Sequence, residues 1–133
     1  MIIILLFVSL IGLLYILKNR YETYLESDPK VVDLKNKLVT TFPELRSIRI
    51  MKGSSSYTID KSKIYLCVEH NGVTYDDNML TYVLLHELSH VINSKIGHGI
   101  EFRNTFNRLL IRAEINGFYD PNKPRIEKYC QSS

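Results

Sequence analysis

The sequence predicts an α+β domain, a small sheet with one long helix and flanking helices, standing behind an N-terminal transmembrane helix. Three observations carry that reading: an uncharged apolar run over residues 2–17, short β-rich runs in the middle of the chain, and three later stretches in which apolar residues recur at three- and four-residue spacing. At 133 residues the chain is one domain at most. It divides into an anchor with a basic flank at 1–20, a polar stem at 21–28 and a folded domain at 29–133.

The run from Ile2 to Leu17 (IIILLFVSLIGLLYIL) lies near the lower length limit for crossing a hydrocarbon core of ~30 Å at ~1.5 Å per residue, so the snorkelling Lys18 helps it to span. A cleaved signal peptide would carry its positive charge before the run and a small-residue site after it. Here Lys18, Asn19 and Arg20 follow the run, which favours an uncleaved anchor. A buried core helix is disfavoured, because so short a chain has nothing to cover a helix apolar on every side. Lys18 and Arg20 on the C-terminal side make this a single-pass membrane protein with its domain in the cytoplasm, by the positive-inside rule.

Asp28-Pro29 places an N-cap before a proline suited to a first helical turn, and Val31, Leu34, Leu38 and Phe42 then form one apolar stripe ending near Pro43. Residues 47–52 (SIRIMK) alternate apolar and polar, Gly53-Ser54-Ser55-Ser56 breaks the pattern, and residues 64–68 (IYLCV) are a β-rich run bounded by Asn71-Gly72. Two or three strands in a small antiparallel or mixed sheet follow. Asp76, Asp77 and Asn78 offer caps for a long helix to about Lys95, with Leu80, Leu84, Leu88, Val91 and Ile92 as apolar positions. A last helix from about Gly99 to Asn116 carries Phe102, Phe106, Leu109, Leu110 and Ala113 on one face, Gly117 is its stop, and the tail after Pro121 is irregular.

The net charge of +3 comes from acidic and basic residues mixed along the soluble part, which leaves no electrostatic footprint for nucleic acid. Arg103, Arg108 and Arg112 read as a solvated helix face. Cys67 and Cys130 have neither the density of a disulfide scaffold nor C-x-x-C spacing, so the expectation is a buried thiol and a tail thiol, with a single disulfide as the lesser alternative. The sequence carries no signal of oligomeric state.

The chemistry concentrates in LLHELSH. His86 and His90 are four residues apart, so a helix brings both imidazoles to one face, one turn apart, where they can share a zinc ion. Glu87 then stands beside the metal as a general base for water that the metal makes acidic, near a pKa of ~7. A catalytic zinc needs a third protein ligand and an open fourth position. His98 is the candidate, swung back by a turn between Gly97 and Gly99, whose flexibility permits a tight backbone. Three of four histidines within thirteen residues at ligand spacing make an incidental cluster improbable, although a bare H-E-x-x-H also occurs in non-enzymes. His70 beside Asn71-Gly72 reads as solvent-facing, and Tyr119 or Tyr129 could stabilise an oxyanion.

The stretch HELSHVINSKIGHGIEFRNTF resembles the SprT-like and WLM zinc metallopeptidases, with His86, Glu87, His90, His98, Gly99 and Phe102 on the shared pattern. The likeness runs from IYLCVEHNG through YDDNMLTYVLLHELSH to GFYDP and YC, and is similar to small, often membrane-anchored WLM-type proteins of large nucleocytoplasmic DNA viruses. It implies a minimal zincin-like fold, one Zn2+ and a protein substrate. In cellular relatives the substrates include proteins crosslinked to DNA. This chain shows no basic DNA-binding extension and no ubiquitin- or SUMO-binding tail, which argues against a repair role.

The leading expectation is a membrane-anchored peptidase acting on a protein near the membrane. A membrane or virion structural protein stabilised by zinc is the alternative, with Cys67 or Glu101 available to close the site, and a protease for DNA-bound proteins comes third.

Overall fold

A computed structural model describes residues 1–93, 96–127 and 129–130. Helix α1 (Ile2–Glu26) is, among the described residues, the one helix long and apolar enough to cross a membrane, and none of its apolar window is buried. It runs without interruption to Glu26, through most of the segment 21–28 expected to be a polar stem. The reason lies outside the segment: Glu22, near its end, is buried against the sheet of the domain. Arg49 donates to Glu22 Oε2 at 2.9 Å and Lys63 donates to both carboxylate oxygens at 3.1 and 3.0 Å, while Arg49 Nε also reaches Glu26 at 3.3 Å. The folded unit therefore includes the last turns of α1.

Helix α2 (Pro29–Leu38) begins as its cap residue requires, with the Asp28 carboxylate accepting from the amides of Lys30 and Val31. Its stripe, Val31, Leu34, Leu38 and then Phe42, is buried throughout. A short 3-10 turn (Pro43–Ser47) leads into strand β1 (Arg49–Lys52). Strands β2 (Tyr57–Ile59) and β3 (Lys63–Leu66) complete a mixed sheet in the order β1-β3-β2, with β1 parallel and β2 antiparallel to β3. The two-residue period of the strands sorts the sheet's faces. Ile50, Ile64 and Leu66 are in the main core, whereas Arg49 and Lys63 point to the face that receives α1. Strands β4 (Glu69–His70) and β5 (Val73–Thr74) form a hairpin whose Asn71 and Gly72 both have positive φ, the conformation an Asn-Gly turn adopts readily, and His70 is exposed as expected.

Helix α3 (Asp77–Ile92) is capped by Asp76, which accepts from the Met79 amide at 2.7 Å. It lies across β2 and β3 and packs on α4 (Ile100–Ile115). Leu80, Leu84, Leu85 and Leu88 are fully buried, each contributing on the order of 2 kcal/mol by transfer from water. Helix α4 buries Phe102, Phe106, Leu109 and Ala113, and the chain turns away just past its end at Gly117, whose φ is +78, with the Phe118 amide donating to the Ala113 carbonyl. Helix α3 stops at Ile92, where Asn93 turns extended, short of the end expected near Lys95, a residue outside the described ones.

The junction of α1 with the sheet gives a pH-dependent contribution to stability. Lys63, above all through its hydrogen bonds, holds the Glu22 carboxyl below its ordinary pKa of 4.5. A group depressed on folding stabilises the fold above its unfolded pKa, and that stability is lost as pH falls through the folded value. Glu22→Gln is expected to cost about 1–2 kcal/mol at pH 7. The gap from wild type should close in thermal melts below about pH 4. A constant gap across that range would contradict the ionised pairing.

Candidate metal centre

His86 and His90 project from one face of α3, one turn apart, with ring centroids 5.2 Å from each other. His98 comes from the turn between α3 and α4 and meets them there, its ring centroid 5.2 Å from His86 and 4.8 Å from His90. One ring nitrogen from each of the three lies within 4.8 Å of the others, and Nε2 of His90 and of His98 are 3.0 Å apart. Two nitrogens each ~2.0 Å from a tetrahedral zinc stand about 3.3 Å apart, so these residues fit a shared ion. Gly97 at φ +98 supplies the left-handed backbone that turns His98 inward. Gly99 does not share that role. Its φ of −71 is open to any residue, and it serves as the N-cap of α4.

Two phenylalanines of α4 floor the cluster. The Phe102 ring lies 5.0, 4.4 and 4.8 Å from those of His86, His90 and His98, and Phe106 is 5.2 Å from His86. This apolar backing removes water from one side of the imidazoles. Burial, followed by the neighbouring His90 and His98, lowers the His86 pKa to about 4, and burial lowers that of His90. Both rings are therefore neutral at pH 7, the form that ligates a metal.

Glu87, the next residue on α3, is only 7% exposed. Burial raises its pKa, opposed by a hydrogen bond from Thr58. The Thr58 hydroxyl lies 2.7 Å from Glu87 Oε2 and 3.2 Å from the Glu87 backbone carbonyl, so β2 is pinned to the turn of α3 that carries the site. His86 and Glu87 sit where two clefts meet. One, of about 340 Å³, runs between α3 and the tail past Met79, Val83 and Tyr129. The other, of about 750 Å³, runs along β2 past Thr58, Lys61, His90 and His98.

The two thiols expected from the sequence are instead a disulfide. Cys67, just past β3, is bonded to Cys130, with Cα atoms 6.3 Å apart. Tyr129 and Cys130 are guided into place by contacts that the cysteine spacing does not show. The Tyr129 ring packs on Tyr75 at 4.7 Å, its hydroxyl donates to the Cys67 carbonyl and sits 2.8 Å from Ser56 Oγ, and the Cys130 amide donates to Tyr75. With Cys67 so engaged, it cannot close a metal site. Among the described residues the candidate ligand cluster holds His86, His90 and His98 and does not include Glu101.

Of the two tyrosines considered for an oxyanion, Tyr129 lines the smaller cleft, but its hydroxyl is taken up by backbone and Ser56, and burial pushes its pKa up to about 12. Tyr119 lines a separate cavity with Asp77, Asn78 and Asp120. Thr58 and the packing role of Phe106 were missed in the sequence; a threonine in a short exposed strand carries no signal of its partner. Arg103 and Arg108 are exposed as expected, while Arg112 pairs with Glu44 at 3.3 Å and lies over the Phe42 ring.

The chain is similar to two curated viral proteins. It is 37% identical over 92 residues to "Uncharacterized protein 136R" of Invertebrate iridescent virus 6, covering 66% of this chain and 52% of that protein. It is 40% identical over 86 residues to "Uncharacterized protein 042R" of Invertebrate iridescent virus 3, covering 63% of this chain and 54% of that protein. The chain thus spans about half the length of the curated relatives it matches. No family model matches the chain. No solved structure matches it.

Since the disulfide closes a loop with 63 residues of sequence separation and the bonded tail walls one cleft, Cys130→Ser is expected to cost about 2–4 kcal/mol of unfolding free energy. Denaturant melts and limited proteolysis read it, with new cleavage in the tail. An unchanged midpoint and an uncut tail would show that Tyr75 and Tyr129 hold the tail without the bond.

Proposed function

We propose that this chain is a membrane-anchored zinc metallopeptidase with a zincin-like domain, in which His86, His90 and His98 hold the metal and Glu87 is the general base, as the resemblance to WLM and SprT-like enzymes implies. The observation that supports this best is the arrangement of one buried carboxylate beside three converging imidazoles at the meeting point of two clefts. A purely structural zinc would call for a closed set of protein ligands. The described cluster has three, and the domain already has a disulfide to stabilise it.

Zinc bound there supplies Lewis acidity, making a water acidic near neutral pH and polarising a carbonyl oxygen. Glu87 accepts the proton of the attacking water and returns it to the departing amine. Strand β2 is at the edge of its sheet and lines the larger cleft, so its outer N–H and C=O groups are available to an extended peptide.

The 133-residue chain in detergent micelles is expected to bind one zinc per chain and cleave fluorescein-labelled casein. Glu87→Gln should keep the zinc and lose at least about 100-fold in kcat. Wild-type rates in that variant would remove Glu87 as the base, and zinc binding with no cleavage by the wild type would remove a broad peptidase activity.

The exposed apolar face of α1 supports a single-pass anchor. Its orientation is pulled two ways: Lys18 and Arg20 favour a cytoplasmic domain, whereas a disulfide persists on an oxidising side. Two basic residues are a small bias beside a covalent bond that a reducing compartment would not preserve, so we place the domain on the oxidising side. Protease protection of the domain in sealed microsomes, with Cys67 and Cys130 resistant to alkylation, is the expected outcome; digestion without detergent would restore the cytoplasmic orientation.

A further inference from the structure

Glu87 has two carboxylate oxygens and, as a base, needs only one of them facing the reacting water. Oε2 accepts from Thr58 Oγ1 at 2.7 Å, and among the described residues no other side chain donates to this carboxylate. The same hydroxyl lies 3.2 Å from the Glu87 backbone carbonyl, so one residue contacts both the backbone and the carboxylate of Glu87. Thr58 is well suited to hold rather than follow. Its β-branched side chain has a stiff χ1, and it is the middle residue of β2, paired opposite Ile64, which is fully buried in β3. The contact thus runs from the core of the sheet, through a stiff side chain, to the carboxylate.

We propose that Thr58 is the positioning residue of the site: its hydroxyl fixes the Glu87 carboxylate so that Oε1 faces the cleft. This rests on the peptidase reading above. Thr58 touches neither metal ligand nor substrate in this role and acts through Glu87 alone. Loss of the hydroxyl frees the carboxylate to rotate about its last torsions, where alignment falls before binding does.

The test compares the 133-residue wild-type chain, Thr58→Val and Thr58→Ser in detergent micelles. Valine keeps the shape and removes the donor; serine keeps the donor. Zinc content by metal analysis, Tm, and kcat and KM on fluorescein-labelled casein are measured for each. Thr58→Val is expected to hold its zinc and a KM within about twofold of wild type while kcat falls about 10–100-fold, the scale of a misplaced reacting group. Thr58→Ser should recover kcat to within about threefold of wild type. Unchanged kcat in the valine variant overturns the proposal, and so does an equal loss in both variants, which would mark a packing role.

A second readout does not need cleavage. In protein labelled with 13C-glutamate, the Glu87 carboxylate resonance is the one missing from Glu87→Gln, and at pH 7 it is expected to shift in Thr58→Val and to stay near its wild-type position in Thr58→Ser. If the wild type cleaves no casein, the peptidase reading fails by itself, and this resonance still decides: a shift confined to valine sustains the positioning contact, and no shift overturns it.

Discussion

Helix α3 buries Leu80, Leu84, Leu85 and Leu88 completely, while His86, Glu87 and His90, around the same turns, face clefts open to water. A helix of period 3.6 can satisfy both demands only if it is clamped in one rotation, with the leucines under the sheet and the polar residues at its edge. The sheet holds that rotation from one side and α4 from the other. Every other feature of the site depends on this seat. The imidazoles meet His98 because α4 starts beside them, Phe102 and Phe106 back them because α4 packs along α3, and Thr58 reaches Glu87 because β2 lies against the same turn.

Two connections tie this small domain to the rest of the chain. Domains of this size bury a modest fraction of their surface and are marginally stable on hydrophobic burial alone. At one end the buried Glu22, with Arg49 and Lys63, continues the apolar helix α1 onto the face of the sheet opposite the main core. At the other, the disulfide and the Tyr75–Tyr129 contact draw the tail back over Ser56 and Cys67. The first joins the domain to the end of α1 through buried ion pairs rather than through a loose stem. The second makes one wall of a cleft out of residues remote in sequence from its floor.

Much of the fold was legible because it rests on local physics. Asp28-Pro29 and Asp76 are caps whose hydrogen bonds form within a few residues, Asn71-Gly72 is a turn by its own backbone preferences, and the stripes of α2 and α4 follow a short period. The elements not individually foreseen are those stabilised from afar. Strand β2 is three residues long and largely exposed, and it exists by pairing with β3; the helical stem exists by pairing with Arg49 and Lys63.

By itself the sequence determined an α+β chain with an apolar N-terminal helix and the spacing that sets His86, Glu87 and His90 on one helical surface, since an i, i+4 relation is a property of any helix. Only the tertiary structure decided that His98 meets them, that Phe102 touches all three rings, that Thr58 holds Glu87 and that Cys67 is bonded to Cys130. The physical reason is the same in each case. These contacts join residues from different elements, and what brings such residues together is the burial of surfaces elsewhere in the fold, which no local pattern around any one of them encodes.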